Sequence, residues 1–225
     1  MSRIFLQNVS KIYTVGSQSV PAVLDASLSI EPGDFVSIVG HSGSGKTTLL
    51  SMIGGITMPT SGSIYVDSLD VSSLSSDGLS EYRSGKIGFM FQFASLLPML
   101  TVRENLLLPA VFASSRSDTR HAADRATELI GMVGLGDKIN AYPSQLSGGQ
   151  QRRVAIARAF INQPSVILAD EPTGDLDESS ETDMMTFFML MNQSGTTFVM
   201  VTHNTDLAAQ ANRRFTMHKG MLNEQ

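Results

Sequence analysis

Eight consecutive residues, Gly40-His41-Ser42-Gly43-Ser44-Gly45-Lys46-Thr47, set three glycines ahead of a lysine and a hydroxyl. Glycines let the main chain curl so that successive N–H groups converge, and such a nest at a helix start holds the oxygens of a phosphate chain. Lys46 supplies a point charge for β- and γ-phosphates, and Thr47 offers its hydroxyl to Mg²⁺. His41 reads as a spacer within this cradle, and Thr48 as its last member. A second group lies far downstream. Val166-Ile167-Leu168-Ala169 is an apolar run that ends in Asp170-Glu171. Ligands bind at the carboxyl ends of parallel strands, so Asp170 is placed to hold Mg²⁺ and Glu171 to orient or deprotonate a water.

These groups need a scaffold, and the surrounding sequence supplies one. Phe35-Val36-Ser37-Ile38-Val39 is a short β-rich run ending at Gly40, and Leu49-Leu50-Ser51-Met52-Ile53 continues as a helix after the glycine loop. Strand, loop and helix open a βαβ unit. Before it, Ile4, Leu6, Val9, Val23, Leu24, Leu28 and Ile30 read as β structure, with Pro32-Gly33 as a turn. From about Val102 to Leu135 the pattern turns helical, with Ala122, Ala126, Leu129, Ile130 and Val133 on one face. The last third alternates again. Ser165–Ala169 and Thr196–Val201 are buried strands, a helix carrying Glu178, Glu181 and Asp183 near its N-terminal end lies between them, and Arg214–His218 is the closing strand. The expected fold is α/β: a mostly parallel core sheet, an antiparallel β subdomain and an inserted helical lobe. The catalytic α/β core takes residues 1–92 and 160–225, and the lobe about 93–159.

Composition narrows the function. The 225 residues are 42% hydrophobic and 16% charged with a net charge of −5, which excludes wholesale disorder and disfavours nucleic acid as a partner. Cysteine is absent, which removes thiolate metal sites and disulfides. The most apolar stretch, Met184 to Met191, is closed by Asn192-Gln193-Ser194-Gly195, well short of the ~20 residues a membrane helix needs. The chain is therefore expected to be cytoplasmic, without direct membrane insertion, and to reach any membrane through a partner.

Leu146-Ser147-Gly148-Gly149-Gln150, followed by the helical Gln151–Ala159, resembles the signature of ABC ATPases. Ser147 and the Gly148–Gly149 backbone then form a second anion site at a helix N-terminus. Such a site is idle within one chain, because the first loop already holds the phosphates. It makes sense facing a γ-phosphate held by a second copy, so the resemblance implies two copies sandwiching two ATP and two Mg²⁺. It further implies that Tyr13 stacks on the adenine and that Gln92 links Mg²⁺ to the helical lobe. Gln150 closes the signature, Asp175 (in Asp175-Leu176-Asp177) crosses the seam between copies, and His203 touches the γ-phosphate. Thr47, Gln92 and Asp170 form the metal set; Glu171, His203 and Gln92 form the catalytic set. His121 and His218 match nothing and read as surface residues.

The resemblance spans essentially the whole chain. Leu97–Leu106 and Glu171–Asp177 resemble in particular the lipoprotein-release and macrolide-export group (LolD-like, MacB-like and FtsE-like). Departures are Arg152, where glutamine is commoner, Thr47, Asp67-Ser68 and Asp175; none removes a catalytic group. The implied function is the ATP-hydrolysing subunit of a bacterial ABC transporter, peripheral on the cytoplasmic face of the cell membrane through an integral-membrane permease. A groove around Phe93, Leu97, Leu100 and Val102 is expected to receive the permease. Two alternatives compete: a non-transport ABC ATPase acting as an assembly or repair scaffold, and a P-loop kinase of small metabolites, which has no use for Leu146–Gln150.

Overall fold

The computed structural model describes residues 2–113, 119–174 and 176–225. Two sheets organise them. The first is antiparallel, in the order β2-β1-β4-β5, with β1 (Ile4–Val15), β2 (Gln18–Ile30), β4 (Ser61–Val66) and β5 (Leu69–Asp70). Its inward face carries Ile4, Leu6, Val9, Val23, Leu28 and Ile30, the residues read as β from their alternation. Alternation breaks after Leu6, where Asn8 takes φ 49° and the register shifts, so Val9 rather than residue 8 points inward.

The second sheet has the order β10-β9-β3-β8-β7-β6. β6 (Ile87–Met90), β7 (Val166–Asp170), β8 (Thr197–Thr202), β3 (Phe35–Val39) and β9 (Arg213–His218) run parallel. Both faces are covered, which is why these strands read as continuous apolar runs. Phe198, Met200, Ile167 and Ala169 face one apolar cluster, with the helices α3 (Val102–Val111), α4 (Thr119–Met132), α5 (Gly148–Ala159) and α6 (Glu178–Gln193). Val199, Val201, Val166 and Leu168 face the other, with α1 (Lys46–Ile53) and the antiparallel sheet. The chain does not close at His218: Lys219 and Gly220 turn it back into β10 (Met221–Glu224), antiparallel to β9. Only alternate residues of this edge hairpin face the core, so its return strand carries little apolar signal.

Helix α1 has no side-chain cap and buries Leu49, Leu50, Met52 and Ile53. Each such burial stabilises by roughly 1.5–3 kcal/mol, so packing rather than capping holds this helix in place. A further helix, α2 (Ser76–Lys86), precedes β6 and seats Tyr82, whose hydroxyl donates to the Ile53 carbonyl at 2.6 Å. After β8, α7 (Thr205–Ala208) is capped by Asn204. Among the described residues no helix is long and apolar enough to cross a membrane.

Val102 belongs to the core rather than to a groove. It is fully buried in the cluster around α3 to α6, whereas Phe93 and Leu97 are exposed. The turn between Leu97 and Val102 is organised by the buried Asn105. Its amide accepts from Leu97 N and donates to the carbonyls of Leu97, Leu100 and Thr101, which orients Val102 inward at the start of α3.

Candidate functional site

The carboxyl ends of β3, β7 and β8 open onto a cavity of about 800 Å³. Residues 40–48 form one wall, Asp170 and Glu171 the floor, and Gln92 and His203 the rim. The parallel register explains this convergence. Val39, at the end of β3, lies beside Thr202 of β8, and Asp170 of β7 lies beside Val201 of β8. Three sequence-distant segments are thereby delivered to one edge of the sheet.

The glycine loop is held from outside. A Cβ at Gly40 would sit 2.3 Å from the Met217 carbonyl oxygen, and one at Gly45, where φ is 108°, would sit 2.1 Å from that of Ala22. Only glycine fits both positions. The Gly220 N–H donates to the Ser44 carbonyl at 2.9 Å, tying the loop to the β9–β10 turn. Lys46 is buried and its Nζ donates to the carbonyls of Gly40 (2.6 Å) and His41 (3.1 Å). Ser44 Oγ, buried, has no hydrogen-bond partner among the described residues. A cradle of N–H groups at an uncapped helix start, beside a lysine and an orphan hydroxyl, is built for an anion.

The acidic pair is divided by environment. Burial pushes the Asp170 carboxyl up and the neighbouring Glu171 charge adds to this; the Thr47 hydroxyl, Lys46 and Arg152 oppose, and the net position is above the ordinary carboxylate range. Glu171 sits just past the strand in the left-handed region, φ 48°. For a residue with a Cβ this costs on the order of 1–2 kcal/mol, and such outliers gather at functional sites. Its N–H donates to the Val201 carbonyl (2.9 Å). Its carboxylate accepts from the Thr202 hydroxyl (3.0 Å) and meets His203 Nδ1 at 2.9 Å. His203 is mostly exposed while the Glu171 side chain is not, so the carboxylate is gripped from within and reachable from outside.

The structure gathers Gly40 to Thr48, Gln92, Asp170, Glu171 and His203 into one lining. Tyr13 is not in it. Its ring is 40% exposed on the β1–β2 hairpin, with Lys11 Nζ 5.2 Å from the centroid, and that hairpin reaches the cavity through Ala22. Ser147, Gly148, Gly149 and Gln150 lie off the cavity, at the start of α5. Ser147 is the N-cap: its Oγ accepts from Gln150 N (3.2 Å), and Gln150 Oε1 accepts from Ser147 N (2.9 Å). Asp175 falls outside the described residues. Thr202 was not foreseen from sequence. The only signal for it was a hydroxyl residue at the end of a buried strand, directly before His203.

The family model described as "ABC transporter" matches residues 23–174, a stretch holding the glycine loop, Gln92, Ser147–Gln150 and Asp170-Glu171. The chain belongs to the ABC transporter family. It is an ATP-binding cassette of the ATPase type. It is 42% identical over 222 residues to the macrolide export ATP-binding/permease protein MacB of Rhodopirellula baltica, covering 98% of this chain and 32% of that protein. It is 42% identical over 217 residues to the uncharacterized ABC transporter ATP-binding protein YvrO of Bacillus subtilis, covering 96% of this chain and 94% of that protein. The chain thus spans about a third of the MacB relatives and nearly all of YvrO. Among solved structures, the dimeric post-hydrolysis state of the ATP-binding cassette MJ0796 bound to ADP and Pi superposes with TM-score 0.91 at 40% identity, covering 98% of each chain.

Proposed function

We propose that this cassette drives a membrane permease by closing on a second copy of itself around ATP and reopening after hydrolysis. The observation that carries the reading is the single cavity in which the glycine loop, Lys46, Asp170, Glu171 and His203 converge. The triphosphate lies along Gly40 to Thr48, with Lys46 released from its own loop carbonyls to the β- and γ-phosphates. Tyr13 stacks on the adenine from the hairpin that contributes Ala22. Glu171, held by Thr202 and His203, accepts the proton of the attacking water, and His203 reaches the γ-phosphate. Positioning and charge do the work, and no covalent intermediate is needed.

The residues also fit Mg²⁺. Among the described residues no cluster of three or more His, Asp or Glu forms a protein cage for a metal. That suits an ion held by one carboxylate and a hydroxyl together with substrate phosphates. Asp170 and Thr47 would hold it, with Gln92 at the rim. Bound there, it neutralises charge on the β- and γ-phosphates.

Ser147, Gly148 and Gly149 complete the site from the second copy. Ser147 and Gly148 are exposed and Gly149 is half-buried, all three off their own cavity and at a helix start, and the MJ0796 cassette is known as a dimer. Asp175 stands at the same seam. Beside Gln92 a groove of about 300 Å³ is lined by Phe89, Phe91, Leu108, Pro109 and Phe112, and Phe112 is 73% exposed. We assign this groove, rather than the turn around Val102, to a short helix of an export or mechanotransmission permease, which would place the cassette on the cytoplasmic face of the cell membrane. Phe112→Glu should reduce the share of the chain that sediments with membranes from its own cells while leaving ATP hydrolysis in solution intact. Unchanged sedimentation would remove the groove from the reading.

Glu171→Gln tests the chemistry. It keeps shape and loses the proton acceptor, so phosphate release should fall by about 10²–10⁴-fold with nucleotide binding retained. The variant should then elute as a stable dimer with Mg-ATP. Turnover at the parent rate would overturn the assignment of Glu171.

A further inference from the structure

Arg152, in the second turn of α5, is 3% exposed. Its guanidinium reaches two loops at once. Nε donates to the Pro172 carbonyl at 2.7 Å and Nη2 to that of Glu171, while Nη1 donates to the carbonyls of Phe91 and Gln92. Six residues further along the same helix, Arg158 Nη1 and Nη2 donate to the carbonyls of Ser95 and Ala94, both at 3.1 Å. One helix therefore grips the main chain at 91, 92, 94 and 95 on one side and at 171 and 172 on the other. Because the acceptors are carbonyls, the grip fixes backbone position whatever the side chains there are doing.

The need for a grip is visible at Glu171. Its main chain sits in the left-handed region, which a residue with a Cβ leaves unless its neighbours hold it. Val201 holds the N–H side of this residue, and Arg152 holds the carbonyl side. Only a planar fork of five donors serves four carbonyls from one side chain. A glutamine amide has two donors, and a lysine ammonium is a compact point.

We propose that Arg152 is a positioning residue for ATP hydrolysis: it sets the backbones of Gln92 and Glu171 against each other and locks both to the helix that begins at Ser147. This rests on the reading of Glu171 given above. The signature helix, the 91–95 segment and the Glu171 backbone then shift together, and water attack becomes sensitive to how α5 is seated.

The test compares Arg152→Gln and Arg152→Lys with the parent chain and with Glu171→Gln, following phosphate release, binding of a fluorescent ATP analogue and thermal unfolding. Arg152→Gln should lower kcat by about 10- to 100-fold, the scale of an ångström-sized misplacement, while the KM for ATP and analogue affinity move by less than about threefold. Arg152→Lys should also lower kcat, because its three donors sit on one atom and cannot reach the carbonyls of both loops together. Parent kcat in a folded Arg152→Gln overturns the proposal, and so does a matched loss of kcat and affinity. Unfolding of both variants overturns it too, since the role would then be stability alone. An inactive Glu171→Gln beside a fully active Arg152→Gln removes only the role of Arg152. An active Glu171→Gln removes the underlying site reading instead.

Discussion

Helices α1 and α5 both begin at glycine-containing turns, and they finish their first turns in opposite ways. At α1 the N-cap is Gly45, with φ 108° and no side-chain cap. At α5 the N-cap is Ser147, which exchanges hydrogen bonds with Gln150 in a reciprocal capping box. The start of the first helix lines a cavity with a buried lysine beside it; at the second, Ser147 and Gln150 each cap the other's N–H, with Ser147 and Gly148 exposed. An uncapped helix start is normally a defect of about 0.5–2 kcal/mol. Here it is tolerated because α1 is held by Leu49, Leu50, Met52 and Ile53, and the open N–H groups are what a triphosphate needs. The start of α5 can exist without a ligand, as it must if its ligand arrives with another molecule.

Removing Lys46 breaks the first half of that contrast and has the largest effect expected. Lys46→Ala should weaken ATP binding by at least about 100-fold, since the charge-assisted contacts to two phosphates go with it. Titration with a fluorescent nucleotide measures this, and no ATP-dependent dimer should form on gel filtration. Retained affinity would mean that the N–H cradle alone suffices.

Ser147→Ala probes the second half with a smaller effect. Helix stability should fall by about 1 kcal/mol from the lost cap. Turnover should fall by about 10- to 100-fold from the lost contact to the γ-phosphate across the seam. ATP affinity of the dilute monomer should stay the same. A drop in monomer affinity equal to that of Lys46→Ala would erase the distinction between the two helix starts.

The smallest effect comes from a third helix start, that of α6, where Asp177 is the cap. Hydrogen bonds from Ser180 N–H and Oγ hold its carboxyl below the usual carboxylate range. A depressed folded-state value contributes stability above the unfolded value, near pH 4, and that contribution is lost as pH falls through the folded one. Asp177→Asn should therefore lower Tm slightly at pH 7, with the gap to the parent closing on acidification below about pH 4. A gap independent of pH would assign the difference to something other than the charge of the cap.

Sequence carried much of this because the decisive groups are contiguous. Gly40–Thr47 and Asp170-Glu171 announce themselves through spacing, and the strands that bear them are apolar on both faces. What escaped detection depends on long-range approach. Thr202 matters only because β8 lies beside β7. In sequence Arg152 reads only as a departure from the commoner glutamine, yet its side chain spans two loops some 20 and 60 residues away in the chain. Val102 follows a stretch in which Leu97 and Met99 are exposed, and it is turned inward by Asn105 three positions later, which local pattern does not foretell. Tyr13 was singled out by its place in the motif order, and the fold leaves it on the hairpin beside the cavity.

The peptide of Gly220 links distant parts of the chain: its N–H is bonded to Ser44 within the glycine loop, and its carbonyl accepts from Leu24 N at 2.8 Å. Met217, just before the turn, already touches Gly40. A short surface hairpin therefore shares a mechanical frame with the phosphate cradle, and it lies outside the groove and the α5 face. The native sequence has no cysteine. A single cysteine introduced at position 219 would carry a dye alone, and the surface turn would become an optical gauge of nucleotide occupancy on the far side of the loop.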